Sequence, residues 1–433
     1  MRQKYVCRLP GKKSIAIIKR DHKVISQSYS REYSFVLKKS RDCYVYDIDG
    51  RRYLDFAAGI AVANVGHTNP EVVRAVTKQV KLSTHAAFAD FYAELPVKFV
   101  ETLLTFLPKD LNNVFLSNSG TEAIEAAYKC ARWHSKKKWT IAFTPCFHGR
   151  TMGSLSMTNS LPVQRERYSP FLPVKHTPYP YEYRWKKKED CATDCLNLLE
   201  KRIKSCKNNL ASIFFEPVSG EGGYIVPPKL FVKGLRRLCN EYNVLLCDDE
   251  VQAGLYRTGT FLAIENFNIK PDIVSISKAI GGGIPLGATV ANKKIMDWPR
   301  GSHANTFGGN LIACAAGIAT LNFMKKKGLG EKSKKIGGYM LERLKQLEEK
   351  YETVGDVRGL GLMIGIELVK DKRTKKHAIE ERQQILCKAS EKGLLLLPAG
   401  KSVIRICPPL TLTKEQADLG IDILEDSIKE VSK

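Results

Sequence analysis

Pro271-Asp272-Ile273-Val274-Ser275-Ile276-Ser277-Lys278-Ala279-Ile280-Gly281-Gly282-Gly283 is an apolar, β-branched run that delivers a lysine onto three glycines. The run reads as a short buried strand. Lys278 then stands at the strand's carboxyl end, where open α/β sheets hold their ligands. A long amine beside an apolar strand is costly unless it is paired or used covalently. Upstream, Val244-Leu245-Leu246-Cys247-Asp248-Asp249-Glu250-Val251-Gln252 is a second apolar strand, and it ends in acids. Outward from this pair, Val114–Ser117, Trp139–Phe143, Leu210–Phe215 and Gly287–Ala291 read as further strands. Helical patterns alternate with them between about residues 110 and 325. A mainly parallel sheet covered on both faces is therefore expected.

A lysine and an aspartate at neighbouring strand ends are what a protein contributes to pyridoxal phosphate: an amine for its aldehyde and a partner for its pyridinium. Other stretches supply matching chemistry. Asn118-Ser119-Gly120-Thr121 leads into the alanine-rich helix that begins Glu122-Ala123-Ile124. Such a helix start offers orphan N–H donors and a positive dipole end to a phosphate, although a Ser or Thr there is also a common structural cap. The loop Pro145-Cys146-Phe147-His148-Gly149-Arg150-Thr151 clusters an aromatic ring, an imidazole and a guanidinium. These could stack on a heteroaromatic ring and grip a carboxylate, or be a core Phe with a surface His and Arg. Glu216-Pro217-Val218-Ser219-Gly220-Glu221-Gly222-Gly223 is a turn with two acids, and Ala57-Ala58-Gly59-Ile60-Ala61-Val62-Ala63 suits either a close-packed pocket wall or plain loop packing.

The remaining chain sorts by pattern. Ser14–Val24 is an expected helix, and Tyr44–Gly50 with Arg52–Phe56 an expected hairpin about Asp49-Gly50. Residues 160–193 show little periodicity and read as an irregular surface excursion. An alanine-rich helix opens after Asn310 and runs to about Lys325, where the composition shifts. Beyond it lie a charged helix over Glu331–Tyr351, strands within Val357–Leu368, a helix over Ile379–Lys392, strands at Leu394–Leu397 and Val403–Ile406, and a helix after Thr413. Three units follow: residues 1–65 as a segment packing with the small domain, 66–325 as the large domain, and 326–433 as a small α+β domain.

At 433 residues the chain can bury a large core. No stretch approaches the roughly 18 apolar residues of a membrane span. Met1-Arg2-Gln3-Lys4-Tyr5-Val6-Cys7 has no apolar core behind it, so no secretory signal is read and a cytoplasmic location is expected. Twelve cysteines are scattered without CxxC pairs, and even Cys191 and Cys195 lack a histidine at metal-ligand spacing, so no metal is expected. The net charge of +24 raises nucleic acid as a partner. Its lysines, however, sit in small groups such as Lys136–Lys138, Lys186–Lys188 and Lys325–Lys327, without interleaved aromatics. They read as solvated faces, and neither nucleic acid nor membrane is expected as a partner. Gly281-Gly282-Gly283 does not fit the dinucleotide pattern, and Gly11-Lys12-Lys13-Ser14 lacks the spacing of a phosphate-binding loop.

The ordered set Ser119-Gly120-Thr121-Glu122-Ala123, Phe147-His148-Gly149-Arg150-Thr151, Glu216–Gly223, Asp249-Glu250-Val251-Gln252, Ser277-Lys278 and Thr306-Phe307-Gly308-Gly309-Asn310 resembles the class III aminotransferases, over roughly Tyr44 to Leu410. That family includes 4-aminobutyrate, ornithine and acetylornithine aminotransferases, and Gly59-Ile60-Ala61-Val62 is slightly more similar to the first. The resemblance implies an α/β fold of fold-type I, with a mainly parallel seven-stranded sheet and a smaller α+β domain. It also implies a role for each matching residue. Lys278 carries the aldehyde and shuttles the proton, and Asp249 keeps the pyridine nitrogen protonated. Phe147 and Val251 sandwich the ring, Gln252 bonds its hydroxyl, and His148 belongs to the same cofactor shell. Gly120 and Thr121 cup the phosphate, which Thr306 completes from a second subunit, so a homodimer (or tetramer) is implied. Arg150 and Arg405 hold the two carboxylates of glutamate or 2-oxoglutarate, Glu221 covers Arg405 when the substrate brings only one, and Ile60 joins them at the substrate. The implied reaction moves the ω-amine of a 4-aminobutyrate-like donor to 2-oxoglutarate. Ornithine or acetylornithine transamination and amino acid racemisation are the alternatives. Ser219, where glutamine is usual, and Leu311, where proline is usual, depart from the pattern.

Overall fold

The computed structural model describes residues 10–432. Residues 1–9, from which the absence of a secretory signal is read, and Lys433 lie outside the described residues. At the centre is a seven-stranded sheet ordered Asn113–Ser117, Gly287–Ala291, Ile273–Ile276, Leu245–Asp249, Leu210–Phe215, Trp139–Thr144 and Val174–Pro178. Only Gly287–Ala291 runs against its neighbours; the other pairings are parallel. The period of two along each strand sorts side chains between two layers. Ala142, Phe214, Cys247 and Ile273 pack with Ile124, Ala127 and Ala131 of helix Gly120–Ser135. Their strand neighbours Ile141, Phe143, Ile213, Phe215, Leu246 and Val274 pack with Leu199 of helix Cys191–Lys204 and with Leu235 and Leu238 of helix Lys229–Glu241. Both faces are therefore dry, and the strands need continuous apolar runs rather than alternation.

Residues 160–193 are not wholly irregular. Val174–Pro178 is the edge strand of the large sheet, paired in parallel with Trp139–Thr144. Its sequence, Val-Lys-His-Thr-Pro after Pro173, carries no apolar alternation because an edge strand tolerates proline and charge. The helix Glu94–Leu104 also went unread. The expected strand Leu394–Leu397 divides between two sheets. Leu394–Leu395 pairs in parallel with Arg52–Asp55, beside the hairpin strands Leu37–Arg41 and Tyr44–Asp47. Leu397–Ala399 instead joins Val403–Ile406, Met363–Leu368 and Val354–Leu360 in an antiparallel sheet. Helices Leu329–Lys350, Ile379–Glu391 and Lys414–Val431 accompany that sheet, and the chain enters them by a turn at Gly328, where φ is +56°.

Leu311 in place of proline is readily absorbed. It is the first residue of helix Leu311–Lys326, capped by the Asn310 side chain, which accepts from Ile312 N (3.0 Å) and Ala313 N (3.2 Å). Among the described residues no helix is long and apolar enough to cross a membrane.

Candidate active site

Asp249 and Lys278 meet at the carboxyl edge of the sheet because their strands run in parallel, with Asp249 opposite Ser275. Lys278 follows two residues after the end of its strand, in a tight turn at φ +47°, a costly conformation for a side chain with a Cβ. Both line a cavity of about 280 Å³, together with Gly120, Thr121, Phe147, His148, Gly149, Arg150, Glu216, Val251 and Gln252. Eight of the thirteen residues singled out from sequence therefore share one cavity before Arg150 is counted.

The Asp249 carboxylate is fixed at both oxygens. Oδ1 accepts from Val251 N (3.0 Å), and Oδ2 lies 2.7 Å from His148 Nδ1. Burial disfavours the His148 imidazolium, but the Cys146 sulfur and the Asp249 carboxylate outweigh it and raise the imidazole pKa. His148 Nε2 is buried without a partner among the described residues. Burial pushes the Lys278 pKa down, against the pull of Asp249, and nearby Arg405 pushes it the same way. A neutral amine, competent to attack or to take a proton, is thereby brought closer to ordinary pH.

The helix start closes one end of the cavity. A Cβ on Gly120 would lie 2.7 Å from Val251 Cγ1, so glycine lets the helix end approach the strand end. Thr121 Oγ1 meets Thr151 Oγ1 at 2.8 Å and Ser154 Oγ at 2.6 Å, a hydroxyl cluster beside free helix N–H groups. Phe147 is held from below, its N–H donating to Glu216 Oε2 (3.1 Å), and the Arg150 guanidinium lies 5.1 Å above its ring. Gln252 Oε1 accepts from Tyr224 OH (2.9 Å), which turns the amide NH₂ the other way.

Arg405 is buried and paired with Glu221, Nη1 to Oε2 at 3.1 Å. Burial works against its charge, but Glu221, with Tyr224 and Cys407 beside it, outweighs that and raises its pKa. Glu221, Arg405, Ile60 and Thr306 do not line the cavity of the single chain. Thr306 is exposed, in the segment before helix Leu311–Lys326. Ile60 is 38% exposed and belongs to a single helical turn, Ala58–Ala61, whose φ angles are all positive at 46°, 61°, 66° and 57°. Asp55 holds that left-handed turn, its Oδ1 accepting from Ala57 N (2.8 Å) and Ala58 N (3.0 Å), and His67 Nε2 contacts its Oδ2 at 2.7 Å.

Three contributors escaped the sequence reading. Glu216 bridges Phe147 N and Gly220 N (3.0 Å), Tyr224 orients Gln252, and the pair Asp55–His67 braces the left-handed turn. A Glu-Pro following a buried strand was the one local signal among them.

Residues 25–428 match the family model described as Aminotransferase class-III. The chain belongs to the class-III aminotransferases. A leucine/methionine racemase of Thermococcus litoralis is 36% identical over 96% of both chains. An acetylornithine aminotransferase of Methanosarcina acetivorans is 38% identical over 95% of this chain and 96% of its own. A probable 4-aminobutyrate aminotransferase of Bacillus subtilis is 34% identical over 95% and 96%. Among solved structures, a pyridoxal-phosphate-bound amine transaminase from an uncultivated Pseudomonas species superimposes with a TM-score of 0.89, at 31% identity, over 94% of this chain and 98% of that one. This class-III aminotransferase thus has the fold-type I architecture and pyridoxal phosphate as its cofactor. The cavity fits that group on its own evidence. It has a buried amine, a braced carboxylate, an unpartnered imidazole nitrogen, and a helix end that a Cβ would block.

Proposed function

We propose that this aminotransferase moves the ω-amino group of 4-aminobutyrate, or of a similar donor, to 2-oxoglutarate, giving a semialdehyde and glutamate. The buried Arg405–Glu221 pair carries the reading. A transaminase pocket must take substrates with one carboxylate and with two, and a carboxylate that covers Arg405 spares a buried unpaired charge in the first case. Arg150 takes the carboxylate common to both, and Ile60 flanks the substrate.

When bound, pyridoxal phosphate supplies the electron sink for the carbanion at the amine-bearing carbon. Asp249, braced by His148, keeps a proton at the pyridine nitrogen. Phe147 and Val251 would hold the ring between them, Gln252 Nε2 would donate to the ring hydroxyl, and Gly120 and Thr121 would cup the phosphate. Lys278 Nζ would be the base that moves the proton of the amine-bearing carbon. Thr306 of the partner subunit completes the phosphate cup in a homodimer. Its exposure supports this, as do exposed apolar side chains in two nearby segments: Phe307 (58%), Leu82 (72%), Phe91 (69%) and Tyr92 (100%). The two segments touch where Asn310 Nδ2 donates to Thr84 O and His85 meets the Phe307 ring. We further place the domain divisions at 65/66 and 325/326. Ten buried free thiols among the described residues support a cytoplasmic location.

The likeness to the Thermococcus litoralis racemase favours racemisation as a second reading, in which the amine stays on its carbon. A visible spectrum separates the two. Adding 4-aminobutyrate without keto acid should bleach the yellow absorbance, and 2-oxoglutarate should restore it. A band that 4-aminobutyrate leaves unmoved, but that ornithine or acetylornithine bleaches, replaces the donor. Inversion of an amino acid without bleaching establishes the racemase.

A further inference from the structure

The segment that carries Glu221 is held by the C-terminal sheet at more points than the ion pair to Arg405. Its base is closed by Ser219 N to Ile225 O (3.0 Å) and Ile225 N to Ser219 O (3.2 Å). Between these, three carbonyl acceptors are taken from across the molecule. Glu221 O accepts from Gly400 N (2.8 Å), Gly223 O from Arg358 Nη2 (2.5 Å), and Tyr224 O from Arg358 Nε (3.0 Å). One guanidinium therefore spans the peptide link that follows the Glu221 turn. Gly223 has a φ of +132°, and nothing in its own side chain can hold that conformation.

Arg358 is itself aimed by carboxylates. Its Nη1 donates to Asp356 Oδ2 (2.6 Å) and its Nη2 to Glu367 Oε2 (3.0 Å), while its guanidinium lies 4.7 Å from the centre of the Tyr181 ring. Glu367 is 2% exposed, and it also accepts from the Tyr181 hydroxyl and from Arg184 Nε (2.8 Å). A planar fork can satisfy two carbonyls and two carboxylates at fixed angles, which an ammonium cannot. A cluster serving stability alone would need no donors to the backbone of the substrate turn.

We propose that Arg358, aimed by Glu367, is the positioning residue for the Glu221 cover over Arg405. It pins the main chain at Gly223 and Tyr224, so Glu221 leaves and regains Arg405 by side-chain rotation alone, and the turn stays in place. The same clamp keeps the Tyr224 hydroxyl on Gln252, so the cofactor side of the turn does not shift when the substrate changes. This rests on the reading of Glu221 as the exchangeable cover.

The test is a double-mutant cycle on the holoenzyme with Arg358→Lys, Glu221→Gln and the double variant. Calorimetry gives the Kd of butyrate (one carboxylate) and of glutarate (two). Neither compound has an amine to transfer, so the result does not depend on which amine is the donor. Glu221→Gln should leave butyrate within about twofold and tighten glutarate about tenfold, because the pair with Arg405 is intact in the free protein and only the ligand with two carboxylates must break it. Arg358→Lys should give the same split at about threefold or more, and the double variant should match Glu221→Gln alone. Equal weakening of both ligands by Arg358→Lys, or effects that add in the double variant, would overturn the clamp and leave the cover standing. Glu221→Gln without a split would remove the cover, and the clamp with it. If Arg358→Lys does not fold, Glu367→Gln takes its place in the cycle, with the same pattern expected and the same patterns overturning the clamp.

Discussion

Glu216 is a carboxyl group at the wall of the cofactor cavity, with two backbone donors and no ion pair among the described residues. Burial raises its pKa from 4.5 to about 7; His148 works against the rise and Asp249 adds to it. A carboxyl raised in the folded state stabilises the fold below its unfolded pKa, and that contribution is lost as pH rises through the folded value. In the cofactor-free protein, Tm should therefore fall by a few degrees relative to Glu216→Gln between pH 4.5 and pH 8. Glu250, also raised by burial to about 7, titrates in both proteins and cancels in the difference. Parallel melting curves for the two proteins across that range would refute the assignment. At this scale the sequence placed Lys278, Asp249, Gln252 and Phe147 at or just beyond the ends of apolar strands, and the structure brings the four to one cavity. The sequence showed Glu216 only as an acid of a Glu-Pro turn and was silent on Tyr224, because Phe147 and Gln252, the partners that tie them to the cavity, are 69 and 28 residues away.

Helix Gly120–Ser135 closes one end of the cavity, and the turn Ala58–Ala61 is the left-handed element that Asp55 braces. In the first, the approach of Gly120 to Val251 leaves no room for a methyl group. Gly120→Ala should raise the dissociation constant for pyridoxal phosphate about tenfold, as expected for overpacking, while far-ultraviolet circular dichroism of the cofactor-free protein stays unchanged. Unchanged cofactor affinity would mean that the helix end is not part of the phosphate cup. In the second, Ala58, Ile60 and Ala61 adopt left-handed angles that cost roughly 1–2 kcal/mol each. The sequence shows small residues there but not their handedness, since only Gly59 announces a positive φ. The edge strand Val174–Pro178 was hidden for a related reason: its role is set by a neighbour it meets in space.

At the scale of the whole molecule, the site is incomplete in one chain if Thr306 works from the partner subunit. Lys278→Ala and Thr306→Asp homodimers should each be nearly inactive, the second because an acid repels phosphate. After subunit exchange between equal amounts, about a quarter of wild-type activity should appear, since half of the dimers are hybrids with one intact site. Hybrids that form, as judged by a tag, but remain inactive would show that Thr306 does not act in trans. The layered sheet was legible because each buried strand is a continuous apolar run. The sheet shared by the two ends of the chain was not, because Leu54 and Leu394 pair across a gap that no periodicity spans.

That pairing also sets a clock. Leu54 N donates to Gly393 O (2.8 Å), Phe56 N donates to Leu395 O (2.9 Å), and Phe56 O accepts from Cys407 N (2.8 Å). The strand leading into Asp55 and the left-handed turn therefore has no fourth neighbour until those residues exist. At translation speeds of about 5–20 residues per second, the early hairpin waits roughly 20–70 s on the ribosome with an open edge. During that interval the nascent chain exposes a template for mispairing. The segment proposed to flank the substrate is therefore among the last parts to be assembled in the cell, and chaperone protection of the emerging amino-terminal segment would govern how much active protein is made.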